Sequence, residues 1–522
     1  MNSIIKKIVA AAVLFLTGSS YAFSQKDNPV LQYSISIPKP ASHNYEVELH
    51  CSKWKPDTIR LKLPGWMPGY YQLMDYARSV ENLVATNDKG TPVDAKKLNE
   101  NTWLISGLQG RPFSVKYTIS THKQFVANSY VDSAHAYLIP ENSFLYIEDR
   151  LQVPVSVSLS FDKAWDKIAT GLDPVLNRPN EFTAPDFDVL YDCPILIGKL
   201  QELPSFYIKG IEHRFIGYNM GSFDPELLMN NLAKVVETAS ALIGDIPYKQ
   251  YTFIGIGPGR GGIEHLNNTT ISFSGNGLDK PGAMNRTLNF IAHEYFHQYN
   301  VKRIRPFELG PFDYDKGNRT NLLWISEGLS VYYEYLIVKR AGLADAATLF
   351  SNLEGNLNAH ENNPGKLYQS LQQASYHTWS DGPFGTQGNE KGRSISYYDK
   401  GPLVGLMLDL EIRNATLNKR SLDDVMRLLY QKYYQQKHRG FTEAEFQSAC
   451  EQVAGISMSN FFEYVYTTKE LDYAKYLAYA GLKTDKQIVE SKDKGPMQKF
   501  TISRIEAPTP LQAQILRSWL GE

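Results

Sequence analysis

His293-Glu294-Tyr295-Phe296-His297 constrains this chain more than any other stretch, because two imidazoles four positions apart share one ion only if the backbone between them is helical. The flanks permit that helix. Leu288, Ala292, Tyr295 and Tyr299 recur at helical spacing, and neither Gly nor Pro interrupts residues 284–305, so Pro306 is expected to end the run. Two histidines on one helical face, with a carboxylate beside the first, supply two ligands for a catalytic Zn2+, one ion per chain. Glu294 is then the expected general base, taking a proton from the attacking water and handing it to the leaving amine.

A catalytic zinc site takes three protein ligands and leaves a fourth position open, so another donor must come from elsewhere. The candidate is Glu327, in Leu323-Trp-Ile-Ser-Glu-Gly328, 30 residues beyond His297. It opens an amphipathic segment that runs to about Arg340, before Gly342. Glu334 lies about two turns further along the same face. It reads either as the acceptor that orients a ligand imidazole or as a solvated surface glutamate.

These motifs stand in order with Asn300-Val-Lys-Arg-Ile-Arg-Pro306, Gly261-Gly-Ile-Glu-His265 and Leu63-Pro-Gly-Trp-Met-Pro-Gly-Tyr70. Together they resemble the glycyl aminopeptidase family of zinc metallopeptidases, of the gluzincin type in which HExxH is joined by a downstream glutamate. The resemblance implies zinc on His293, His297 and Glu327. Gly261, Gly262 and Glu264 look like the exopeptidase signature of related aminopeptidases, carried on an edge strand above the metal. There Glu264 would hold the substrate's free ammonium, and the glycines would let a peptide pair closely with the strand. Tyr398, in Tyr397-Tyr-Asp-Lys-Gly401, is similar to the tyrosine that donates to the tetrahedral intermediate in the wider aminopeptidase group. The bland alternatives are a turn with an exposed glutamate and a packing tyrosine, one of 33 in the chain. Preference for Gly or Ala at the cleaved end follows from the resemblance alone.

Lys6 and Lys7, the apolar run from Ile8 to Leu16 and small residues near Ala22 read as a signal peptide over residues 1–22, implying export to a bacterial periplasm. Short alternating strands separated by Pro, Gly and Asn turns predict an all-β sandwich over 29–200. A thermolysin-like α+β zinc peptidase domain is expected over 201–482, with a sheet lobe to about 280 and a mainly helical lobe after it. The site would sit in the cleft between lobes. Residues 483–522 read as a terminal strand and helix without the PDZ domain that family members commonly carry. The fold expected is therefore multidomain, a sandwich followed by a two-lobed peptidase.

Formal net charge of −1 argues against nucleic acid as a main partner, and no later segment has the 18 apolar residues of a membrane span, so peptides are the expected partners. Three widely spaced cysteines exclude a disulfide framework. Beside an aminopeptidase stand two other readings: an endopeptidase using the same site, and a non-catalytic peptide- or glycan-binding protein with a vestigial metal site.

Overall fold

The computed structural model describes residues 29–388, 392–491 and 495–522, so the expected signal peptide lies outside the described residues. The amino-terminal lobe is rich in sheet. In Val30–Ser36 alternate residues Leu31, Tyr33 and Ile35 turn inward, as do Tyr45, Val47, Leu49 and Cys51 in Asn44–Ser52. Such period-two burial gives a strand one apolar face and fixes its register. The two strands pair antiparallel with Tyr33 opposite Leu49, and Val30–Ser36 also pairs parallel to Val155–Ser160. They lie within an eleven-stranded sheet, accompanied by a four-stranded one.

The peptidase domain begins on a smaller sheet. Ile211–Gly217, Gln250–Gly255 and Asn268–Ile271 run parallel, and Gly262–Glu264 closes one edge antiparallel to Asn268–Ile271. The first crossover is the helix Pro225–Ile243. Asp224 caps it by accepting the Leu227 N–H at 3.0 Å, Pro225 fits its first turn, and Gly244 at φ +94° ends it. This sheet is buried on both faces. Ile216, Ile254 and Ile263 join the core of the amino-terminal lobe, whereas Phe215, Phe253 and Ile271 join the helical core. Covered parallel strands are the arrangement such a sheet requires, and here the covering makes the two lobes share a wall.

The helix bearing the two histidines spans Ala283–Phe296, with His297 at its C-cap, and so stops well before Pro306. Asn300 explains the early end. Its amide donates to the carbonyls of Ile325 and Ser326, at 2.8 and 3.1 Å, which pulls the chain out of helical course. Absence of a breaker permits a helix but does not compel it when tertiary hydrogen bonds compete. Trp324–Gly328 forms a π-helical turn that runs into the helix Leu329–Arg340, and Tyr397–Ala415 packs beside it.

At the carboxyl end a hairpin, Leu482–Ser491 with Gly495–Arg504, docks on the helix Ala346–Glu361. Asn358 accepts the Phe500 N–H at 2.7 Å and Asn362 accepts that of Gln498 at 2.9 Å. The final helix, Pro510–Leu520, buries Trp519, whose indole donates to the Tyr332 hydroxyl at 2.9 Å. Both elements belong to the helical core. Cys51, Cys193 and Cys450 are free and buried.

Candidate active site

The metal end is assembled from two packed helices. His293 and His297 both turn Nε2 toward Glu327 Oε2, at 3.5 and 3.3 Å, and the two Nε2 atoms lie 2.9 Å apart. Zinc bonds of 2.0–2.2 Å in tetrahedral geometry would hold donors about 3.3 Å apart, so this triangle has the size of a zinc cradle. The donor chemistry fits as well. Two ring nitrogens facing one carboxylate oxygen in a buried pocket are the donor types a catalytic zinc takes, and a shared cation would bind all three together.

The outer ring atoms are committed elsewhere, which leaves each Nε2 free. His297 Nδ1 donates to the Asn300 carbonyl at 2.8 Å. His293 Nδ1 lies 2.9 Å from Glu334 Oε2, a charge-assisted contact whose angle falls short of a directed hydrogen bond. Glu334 is thus placed beside a histidine rather than in solvent. Burial opposes the imidazolium forms, yet the surrounding carboxylates, Glu327 foremost for each ring, outweigh it and raise both histidines. Burial likewise opposes the charge on Glu327, but the imidazoles overcome it and hold this carboxyl low.

Glu327 and Tyr398 come together through a contact of two glycines. A Cβ on Gly328 would fall 2.7 Å from the Gly401 Cα and 2.8 Å from the Tyr397 carbonyl, so bare backbones are needed for the helices to meet there. The Tyr398 hydroxyl donates to Glu327 Oε2 at 2.9 Å. The hydroxyl is thus held on the same Glu327 oxygen that faces the two histidines.

The edge strand Gly262–Glu264 supplies the other end of the site. A Cβ on Gly262 would reach within 2.5 Å of Glu294 Oε1, so the glycine lets the strand press directly on that carboxylate. Glu294 is buried, which pushes its carboxyl up to about 7 against the pull of His293 and His297. Glu264 is only 4% exposed, and its Oε1 has no hydrogen-bond partner among the described residues. Gly261, at φ +91°, precedes the strand and lines the same cleft as Gly262, His293, Glu294 and Tyr398.

Beneath Glu264 lies a charged cluster whose membership no spacing in the sequence announces. Asp192, from the amino-terminal lobe, accepts from Lys302 Nζ at 2.7 Å, from the Leu266 N–H at 2.6 Å and from His265 Nδ1 at 3.1 Å. Lys302 belongs to the Asn300–Pro306 motif, which therefore fastens the Gly261–His265 segment to the other lobe. Tyr71 is a second residue that sequence reasoning missed. It follows the Leu63–Tyr70 motif directly and lines an inter-lobe cavity together with Gly69 and Glu264.

With this geometry in place, comparisons with known proteins converge. The Peptidase M61 N-terminal domain profile matches residues 32–199, and the M61 glycyl aminopeptidase profile matches 286–404. None of the curated proteins compared matches the chain. Among solved structures, the chain is similar to an aminopeptidase N family protein from Idiomarina loihiensis. The two are 26% identical with a TM-score of 0.82, over 89% of this chain and 80% of that one. An M1 zinc metallopeptidase from Deinococcus radiodurans shares the fold at 14% identity and a TM-score of 0.53, over 85% of this chain and 95% of that one. A mutant of an M1 zinc metallopeptidase from the same organism, bound to a Tyr-Ser-Ala substrate, gives 15% and 0.52, with 85% and 95% covered. Two family profiles in register with a buried His-His-Glu cradle lead to one conclusion: the chain belongs to the M61 glycyl aminopeptidase family and is a zinc metallopeptidase.

Proposed function

We propose that this protein is an exported aminopeptidase that releases a small residue, Gly or Ala, from the amino terminus of peptides. One observation carries the exopeptidase reading: Glu264 offers a buried carboxylate oxygen without a partner among the described residues, on the edge strand whose Gly262 touches Glu294. An unpaired buried acceptor is costly unless a ligand completes it, and a peptide's terminal ammonium is the complement of the right charge.

His293, His297 and Glu327 would hold one zinc ion, which when bound acidifies water and polarises the scissile carbonyl. Glu294 takes the proton of the attacking water and passes it to the departing amine nitrogen. A carboxyl raised toward neutrality by burial is suited to both halves of that transfer. Tyr398 turns its hydroxyl from Glu327 toward the developing oxyanion, and Glu334 keeps the His293 ring aligned. Gly261 and Gly262 leave the strand edge open for the peptide backbone to pair with.

Export rests on the basic and apolar character of residues 1–22, and among the described residues no helix is long and apolar enough to cross a membrane. The deciding assay pairs a free peptide with its N-acetylated form, using wild type and Glu264→Gln. Wild type is expected to cleave the free peptide alone, and the variant to lose that advantage mainly through KM. Equal cleavage of both peptides by wild type would convert the reading to an endopeptidase.

A further inference from the structure

Residues 64–71 of the sheet-rich lobe take no part in the proposed chemistry, yet they reach the amine end of the cleft. The loop is held by the opposite lobe. Gly65 N–H donates to the Tyr314 carbonyl at 2.7 Å, the Trp66 indole donates to the Asp313 carbonyl at 2.7 Å, and Trp66 meets Trp379 edge to face at 5.1 Å. Within the loop, Tyr70 N–H returns to the Met67 carbonyl at 3.2 Å. The contacts of Gly65 and Trp66 cross between lobes and hold the loop on the peptidase domain.

Its tip lies on the exopeptidase carboxylate. Gly69 has φ +95°, and a Cβ there would stand 2.8 Å from Glu264 Oε2 and 3.0 Å from Ile263 Cγ2. No bulkier residue fits at that point, so the backbone itself packs against Glu264. Tyr71 comes next and is 8% exposed. Burial raises its phenol well above the ordinary value, and the charges of Glu327 and then Glu264 add to the rise. Tyr71 lines the same cavity as Glu264 and Gly69, which places its ring beside that carboxylate.

Tyr71 and Glu264 together border an inter-lobe cavity of about 120 Å³, whose walls include Val189, Leu266, Val301 and Phe312 beside the charged Lys302 and Arg305. The cleft that contains His293, Glu294 and Tyr398 is separate and lined by other residues. A substrate with its ammonium on Glu264 and its carbonyl at the donor triangle carries its first side chain next to Glu264, where the Tyr71 ring stands. Glycine or alanine needs no more room. A leucine or phenylalanine side chain needs the volume behind the ring, on the side of Val189, Leu266 and Phe312.

We infer that Tyr71 sets the size limit on the released residue: its ring shuts the inter-lobe cavity to the substrate's first side chain. This rests on the aminopeptidase reading above and assigns its selectivity to one residue of the other lobe. Opening that cavity converts a small-residue enzyme into one that accepts large apolar residues.

The test uses the zinc-loaded full chain and amino-acid p-nitroanilides of Gly, Ala, Leu and Phe, with wild type, Tyr71→Ala and Tyr71→Phe. In Tyr71→Ala the Leu to Gly ratio of kcat/KM is expected to rise at least about tenfold, the scale on which a pocket discriminates added methylenes. Tyr71→Phe keeps the ring and should hold the ratio within about twofold of wild type, since volume rather than the hydroxyl excludes the side chain. Wild type that hydrolyses Leu and Phe substrates as readily as Gly overturns the inference, as does a Tyr71→Ala enzyme that slows on all four substrates with an unchanged ratio. Should Tyr71→Ala fail to fold, Tyr71→Leu carries the same expectation. Failure of the underlying reading looks different: wild type would release nothing from any free amino terminus, or would cleave blocked peptides equally well.

Discussion

At the metal end of the cleft the donors come from two helices packed together, His293 and His297 from one and Glu327 from the turn that opens the other. At the end proposed to hold the substrate's ammonium, Glu264 sits on a three-residue edge strand held in place by Asp192 and Gly69 of the opposite lobe. The first assembly depends on spacing within a helix and a contact between neighbours. The second depends on how two lobes meet. Damage to the lobe junction should therefore disturb recognition of the ammonium while leaving metal binding intact, and damage near the helices should do the reverse.

The largest effect tests the metal end at its chemistry. Glu294→Gln keeps the shape of the side chain and removes its basicity, so kcat is expected to fall about 10²–10⁴-fold. Zinc content measured by elemental analysis should stay at one per chain, because Glu294 is not among the three donors. Loss of zinc along with activity would show that Glu294 belongs to the cradle.

Asp192→Asn probes the junction. The change leaves Lys302 buried without its counter-charge, and breaking such a pair costs about 3–5 kcal/mol when one partner is removed. Denaturant titration should show that loss, together with a raised KM for free-amine peptides, while zinc affinity holds within about twofold. Equal damage to zinc affinity would mean that the two ends are one cooperative unit.

Glu334→Gln is milder and strikes the other side of the comparison. Weakening the partner of a ligand imidazole lowers metal affinity about 10–100-fold, readable by competition with a chromogenic chelator. Discrimination between free and blocked amino termini should survive once zinc is saturating.

The same contrast explains what could be read from the chain beforehand. The sequence spacing of His293, Glu294 and His297 has a direct geometric meaning, and the amphipathic segment after Glu327 carried its carboxylate to the right helix. Strand alternation in Val30–Ser36 and Asn44–Ser52 was equally legible, since a side chain's face follows from its parity. What escaped were contacts of high sequence separation. Nothing in local pattern links Tyr71 or Asp192 to Glu264, and the Leu63–Tyr70 motif declared a rigid loop without declaring its destination. The helix end at His297 escaped for a related reason: it is set by Asn300 bonding to residues more than 20 positions away.

The smallest effect concerns acid, and it asks which end yields first when zinc is kept saturating so that His293 and His297 do not enter. His265 is buried, with Asp192 at Nδ1 and Nε2 unpartnered among the described residues. Burial lowers its pKa; Asp192 and Glu264 pull it up and Lys302 pushes it down, and the net result lies below the ordinary histidine value. Below about pH 6.5 the unfolded chain therefore binds a proton that the folded chain refuses, and stability falls as pH drops toward the lowered folded value. Above that window His265 is neutral in both states and contributes no slope. Asp192 is also depressed, since Lys302 and His265 outweigh its burial, but its contribution is lost only as pH falls through values below about 3.9. His213, lowered to about 4 by burial, shares the histidine window from within the smaller sheet. Thermal melts between pH 7 and 5 should thus show a smaller acid-induced loss of Tm in His265→Gln than in wild type, with a separate, additive difference of the same sign in His213→Gln. If His265→Gln leaves the slope untouched while His213→Gln removes it, acid weakens the sheet rather than the junction, and the amine end is no more fragile than the metal end.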